Sequence, residues 1–148
     1  MTVPSVMSLW DHRQRVLLRI GAVYDGGMGI PLLFLPAVTT RLFALPMPVP
    51  GEIWLRLDGI FLIIVALIYL VMSQDPARYL GIIPVILLGK AASVIFYTAY
   101  VFLGGQSRSF LIFAGLDFIM FFLHLWALGP NGMARVRAAL QPARPSPA

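Results

Sequence analysis

The chain has 148 residues, 59% of them hydrophobic and 11% charged, with a mean hydropathy of +0.87. Soluble domains carry about a quarter charged residues, so this composition excludes an ordinary water-exposed surface and leaves lipid as the solvent that fits. The formal charge of +5 comes from basic residues spread along the chain, which argues against a nucleic-acid partner, and the lack of cysteine excludes disulfides, thiolate metal sites and thiol catalysis.

Residues 1–15, MTVPSVMSLWDHRQR, carry no apolar run ahead of their charges. They read as a cytoplasmic N-terminal segment rather than a cleavable signal, with the first hydrophobic helix as an uncleaved anchor. Residues 16–128 then hold four apolar stretches, at 16–36, 53–72, 79–103 and 110–128. Each is long enough for a hydrocarbon core, which about 20 helical residues cross. Short segments of alternating polarity are missing, so helices are expected and a barrel is not. The predicted fold is all-α: an integral membrane four-helix bundle.

The connections are short apart from 36–52, which Pro46, Pro48 and Pro50 stiffen; within it TTRLFAL is expected as a small interfacial helix. Pro31 and Pro84 are expected to kink the first and third spans, because proline lacks a donor and clashes with the preceding turn. Gly129-Pro130-Asn131-Gly132 stops the fourth span. Residues 129–148 form a basic C-terminal tail, a short segment MARVRAALQ followed by PARPSPA, which composition marks as disordered.

Arginine placement sets an expected orientation. With the N-terminus cytoplasmic, Arg13, Arg15, Arg78, Arg135, Arg137 and Arg144 lie inside, and Arg41, Arg56 and Arg108 outside. That is the positive-inside pattern, with both termini in the cytoplasm. Trp10, Trp54 and Trp126 fall near span ends, at headgroup depth.

Ionisable residues inside the spans carry the most information, since each costs about 2.5–3.5 kcal/mol to insert at the bilayer centre. Asp25, Lys90 and Asp117 all fall near the midplane of their helices. Lys90, Ser93, Tyr97 and Tyr100 share one helical face, as do Asp117 and His124; Asp58 and Tyr69 are nearly aligned. Gly21, Asp25 and Gly29 repeat at four-residue steps, a spacing that lets a neighbouring helix approach closely. Turning each polar seam inward predicts a central Asp25–Lys90–Asp117 cluster, either a structural ion pair or a ligand site. Arg56, Asp58, Ser93, Tyr97 and His124 form a secondary polar seam. No catalytic residue and no metal site are assigned. Leu57-Asp58-Gly59-Ile60 and Leu116-Asp117-Phe118-Ile119 are a faint echo that a two-helix duplication would explain.

Other motifs are weighed against plainer readings. The Gly26-Gly27-Met28-Gly29 run has no following P-loop lysine and lies in a span, so a phosphate cradle is not expected. His124 could be a single axial ligand to a chlorin or haem; the plainer expectation is a hydrogen bond to a neighbouring helix. No bound cofactor is expected, although contact with lipid, quinone or chlorin fits aromatics such as Phe96, Tyr97, Tyr100, Phe118, Phe121 and Phe122.

LLRIGAVYDGGMGIPLLFLP in the first span, the proline-bearing loop after it, and WLRLDGIFLIIVALIYL opening the second together resemble the DoxX-like superfamily of small bacterial membrane proteins, over Leu17 to Leu128. That resemblance implies a bacterial inner (cytoplasmic) membrane and kinship with subunits of oxidoreductases that pass electrons to quinone. With no cysteine and no second histidine inside the spans, the leading expectation is a non-catalytic accessory subunit. It would stabilise or assemble a larger respiratory or photosynthetic electron-transfer complex, with membrane proteins and lipid as partners. The rival is a quinone- or isoprenoid-binding protein or oxidoreductase component using the charged cluster. A third reading is a proton or small-solute transporter.

Overall fold

The computed structural model describes residues 9–46 and 52–141, without the side chain of Met133. Pro48, Pro50, Arg144 and the PARPSPA segment from residue 142 on therefore lie outside the described residues, as do residues 1–8. Helices make up every regular element among those described: α1 Leu9–Phe34, α2 Pro36–Leu42, α3 Ile53–Gln74, α4 Ile83–Phe102, α5 Phe110–Leu128 and α6 Gly132–Leu140, with a 3₁₀ turn at Leu80–Ile82 leading into α4. Four of them, α1, α3, α4 with its leading turn, and α5, are long and apolar enough to cross a membrane.

The boundaries follow local chemistry. The first helix already includes Leu9, ahead of the expected residue 16, and takes in the polar stretch DHRQR. Part of residues 1–15, set apart above as a separate segment, therefore belongs to α1. Pro31 sits inside this helix without ending it, and the break falls at Leu35, whose φ of −133° and ψ of 49° leave the helical region. The cause is Pro36, which disfavours helical geometry in the residue before it and then suits the first position of α2. The short helix thus comprises PAVTTRL and starts three residues earlier than TTRLFAL suggested. Pro84 likewise occupies the first turn of α4, where no intrahelical donor is lost, so the expected kink there becomes a helix start. Gly129, with φ of 70°, ends α5 and donates its N–H to the Trp126 carbonyl.

Packing divides the long helices into two antiparallel pairs, α1 with α3 and α4 with α5, joined along α1 and α5. The first pair is the tighter. A Cβ added to Gly29 would stand 2.8 Å from the Gly59 carbonyl oxygen, and one on Gly59 would stand 2.7 Å from the Leu33 amide nitrogen. Here the two backbones touch, which only glycine permits. Eight residues further along α1, Gly21 receives the face of the Tyr69 ring, 2.7 Å from where a Cβ would be. Between α3 and α4 contact is marginal. That gap between the pairs shapes the site described next.

At the end where α6 sits, the 3₁₀ turn, α5 and α6 close over the core. Leu80, Ile83, Leu128 and Val136 pack there with Leu18 and Met72. Arg13 lies over the Trp126 ring at 4.2 Å and Arg135 over Trp10 at 5.1 Å, while Arg15 donates to the Gln74 carbonyl. Large apolar side chains elsewhere on α3, α4 and α5, among them Phe61, Val85, Ile95 and Phe118, face outward.

Candidate functional site: a polar cavity between the helix pairs

The helix pairs bring three ionisable groups together. Lys90 on α4 donates from Nζ to Asp117 Oδ1 on α5 at 2.7 Å, and the same ammonium lies 3.8 Å from Asp25 Oδ1 on α1. All three side chains are buried, Asp25 with only 3% of its surface exposed. The Tyr24 ring sits 5.3 Å from Nζ. The arrangement is unequal. Lys90 is committed to Asp117 by a short charge-assisted hydrogen bond, whereas Asp25 has only the longer contact. Its second oxygen, Oδ2, has no hydrogen-bond partner among the described residues.

This triad forms the floor of a cavity of about 290 Å³. Tyr24, Asp25, Met28 and Leu32 supply the α1 wall; Leu55, Asp58 and Leu62 come from α3. Lys90, Ser93 and Tyr97 come from α4, and Phe110, Phe113 and Asp117 from α5, with Leu45 after α2 completing the lining. Because Leu32 is near the end of α1, Leu55 near the start of α3 and Phe110 at the start of α5, the cavity runs from the middle of the helices toward the α2 end. Tyr97 stacks on Phe110 at 5.7 Å between centroids and meets Phe113 at 6.0 Å, and Phe113 in turn meets Phe43. One wall is thus a continuous aromatic surface. Chemically, the cavity offers a bound ammonium, two further carboxylates and hydroxyls set among apolar and aromatic walls.

The secondary seam separates into three environments. Asp58, Ser93 and Tyr97 join the triad on the cavity wall. Arg56, although two residues from Asp58, turns away from it. Its guanidinium donates to the Leu33 carbonyl at 2.6 Å and to Glu52 Oε2 at 2.8 Å, so it satisfies the exposed C-terminal end of α1. His124 shares its helical face with Asp117 but is excluded from the cavity, and it is wholly buried against α1. There its Nδ1 lies 2.9 Å from Gln14 Oε1, and Gln14 Nε2 donates to the His124 carbonyl at 3.0 Å. With the amide nitrogen engaged in that second bond, Oε1 accepts and Nδ1 is the donor. A chlorin or haem at His124 would have to displace close packing, since the ring has no exposed surface. Of the aromatics named above, Tyr97 alone lines the cavity; Phe96, Tyr100, Phe118 and Phe122 are exposed on outer faces.

Several contributors were not singled out from sequence, Tyr24, Leu45, Phe110, Phe113 and Gln14 among them. Phe110 and Phe113 open α5, and their turn-by-turn spacing to Asp117 places all three on one face, a signal that was available. Leu45 comes from irregular backbone, which carries no periodicity to read. Gln14 lies in a polar stretch whose burial depends on His124 110 residues away.

No family model, no curated protein and no solved structure matches this chain. The functional reading therefore rests on the site itself.

Proposed function

We propose that this chain is a multi-pass membrane protein, a four-helix bundle with both termini cytoplasmic, that binds one small lipophilic molecule by its polar head. The observation that carries this reading is the cavity of about 290 Å³ with Asp25, Lys90 and Asp117 on its floor. Its size stands near the lower end of the range for small-molecule sites, about 300–1,000 Å³, and its mix of apolar walls with a few convergent polar groups is what such sites share. A purely structural ion pair does not need an adjoining cavity. The orientation is supported by Arg13, Arg15, Arg78, Arg135 and Arg137 at the α6 end, against Arg41, Arg56 and Arg108 at the α2 end. On that orientation the cavity lies in the outer half of the membrane.

A lipophilic molecule with a polar head is the class to which quinones and isoprenoids belong, and a DoxX-like kinship would place it beside quinone-linked oxidoreductases. The accessory-subunit reading is second. It draws on the exposed apolar faces of α3, α4 and α5, which lipid alone also covers. Purification from the native membrane in mild detergent, followed by native mass spectrometry, separates the two. A lone chain or homo-oligomer carrying one defined lipophilic molecule supports the ligand site. A bare chain held in stoichiometric complex with other proteins supports the accessory subunit and defeats the proposal.

A further inference from the structure

We infer that the molecule this cavity takes is a lipophilic cation, an amine or quaternary ammonium whose charge is balanced by the excess carboxylates of the lining, Asp25 and Asp58, and whose body lies against Tyr97, Phe110 and Phe113. This rests on the cavity being a ligand site and names the chemical class of its occupant.

Three carboxylates, Asp25, Asp58 and Asp117, line the cavity against one ammonium, Lys90. Lys90 is held by Asp117 at 2.7 Å and so compensates that carboxylate first. Asp25 is 97% buried on the same wall, with Oδ2 unpartnered among the described residues, and it needs a donor that the protein does not provide. Asp58 has no hydrogen-bond or ion-pair partner among the described residues either, because Arg56, the nearest cation in sequence, is turned to Leu33 and Glu52. Burying a carboxylate without a partner is costly, so a cation entering here relieves Asp25, while Asp58, more exposed on the lining, adds a second negative charge to the cavity.

The remaining walls narrow the class of cation. Among the described residues, no three acidic or histidine side chains converge as ligands for a metal ion. Met28, Leu32, Leu45, Leu55 and Leu62 offer a dehydrated inorganic ion nothing. They do suit a hydrocarbon body. Aromatic faces attract cations through their quadrupole, by about 2 kcal/mol or more when desolvated. The stacked Tyr97 and Phe110 rings and the adjoining Phe113 provide that surface beside the carboxylates. An anionic head would instead face the uncompensated acids, with the only ammonium already engaged. A neutral quinone brings acceptors alone, and so leaves Asp25 Oδ2 without a donor.

Two isosteric probes test this. Benzyltrimethylammonium carries a permanent charge; neopentylbenzene has the same shape with carbon in place of nitrogen. Calorimetric titration of the full chain in a non-ionic detergent is expected to show one-to-one binding of the cation and at least tenfold weaker binding of the neutral isostere. Asp58→Asn should weaken cation binding by at least about tenfold, equivalent to about 1.4 kcal/mol. Because Asp58 makes no contact that holds the fold, the variant should elute as the parent does. Ser93→Phe, which fills the cavity, should abolish binding of the cation. Equal binding of both probes, or an Asp58→Asn variant that binds as tightly as the parent, would overturn the cation assignment while leaving the ligand site in place. Binding of neither probe would also overturn it, and native mass spectrometry would then decide independently whether the cavity holds any molecule.

Discussion

The two ends of the long helices are built on opposite principles. At the α6 end the side chains with essentially no exposed surface collect: Gln14, Leu18, Met72, Ser73, Ile83, His124, Leu128 and Val136. There Gln14 and His124 exchange two hydrogen bonds across α1 and α5. At the α2 end the helices part around a cavity, and the polar groups there are left incompletely paired. The difference lies in packing and not in polar pairing, since buried atoms without a partner among the described residues occur at both ends: Arg15 Nε, His124 Nε2 and Arg135 Nη1 at one, Asp25 Oδ2 at the other. What sets the cavity apart is open space beside a buried, unpartnered carboxylate oxygen, whereas the α6 end is closed. The glycine contact of Gly29 with Gly59 lies on the cavity side of this divide. It draws α1 and α3 together, so that the open space falls between the two helix pairs and not within one of them.

Several substitutions would break or sharpen the contrast. The largest effect is expected for Lys90→Met, which strips Asp117 of its partner. Removing one member of a buried pair costs about 3–5 kcal/mol, so folded yield and thermal stability in detergent should both fall sharply. An unchanged melting temperature would mean that these charges do not meet. Gly59→Leu comes next. Its side chain would collide with the Gly29 carbonyl and Leu33 backbone, and overpacking of this kind costs about 1–3 kcal/mol. Thermal unfolding followed by circular dichroism would register it. Gln14→Leu acts only at the closed end. It leaves the His124 Nδ1 donor buried without an acceptor, a penalty of about 1–3 kcal/mol, yet probe binding in the cavity should persist. If Gln14→Leu abolished binding while the chain stayed folded, the two ends would be coupled, contrary to this account. The smallest effect on stability belongs to Asp58→Asn, within about 0.5 kcal/mol of the parent. A large loss there would reveal a structural partner for Asp58.

Much of this architecture could be read from the sequence, and for identifiable reasons. The fourth span, 110–128, coincides with α5, because Ser109 and Gly129 bound an uninterrupted apolar run. Helical spacing put Lys90, Ser93 and Tyr97 on one face, and all three line the cavity. Spacing failed where a side chain's direction depends on another element. Arg56 was grouped with Asp58 by proximity in sequence, but the free carbonyls at the end of α1 draw its guanidinium the other way. Asp117 and His124 share a face, yet the helix α5 passes from the cavity at one end to close contact with α1 at the other, so the two side chains meet different surroundings. The start of α1 was hidden for a related reason. Hydropathy reads DHRQR as water-facing, whereas Gln14 is buried and Arg13 and Arg15 lie on Trp126 and the end of α3. The cavity itself was invisible, since empty space has no sequence signature.

The central claim is that the space between the helix pairs is a ligand site. The most direct test extracts small molecules from equal amounts of folded parent and Ser93→Phe chain, both purified from the native membrane, and compares them by mass spectrometry. The account predicts one molecule present near stoichiometry in the parent and depleted in the variant. Identical extracts from the two proteins would contradict it, because a molecule indifferent to filling the cavity does not reside there.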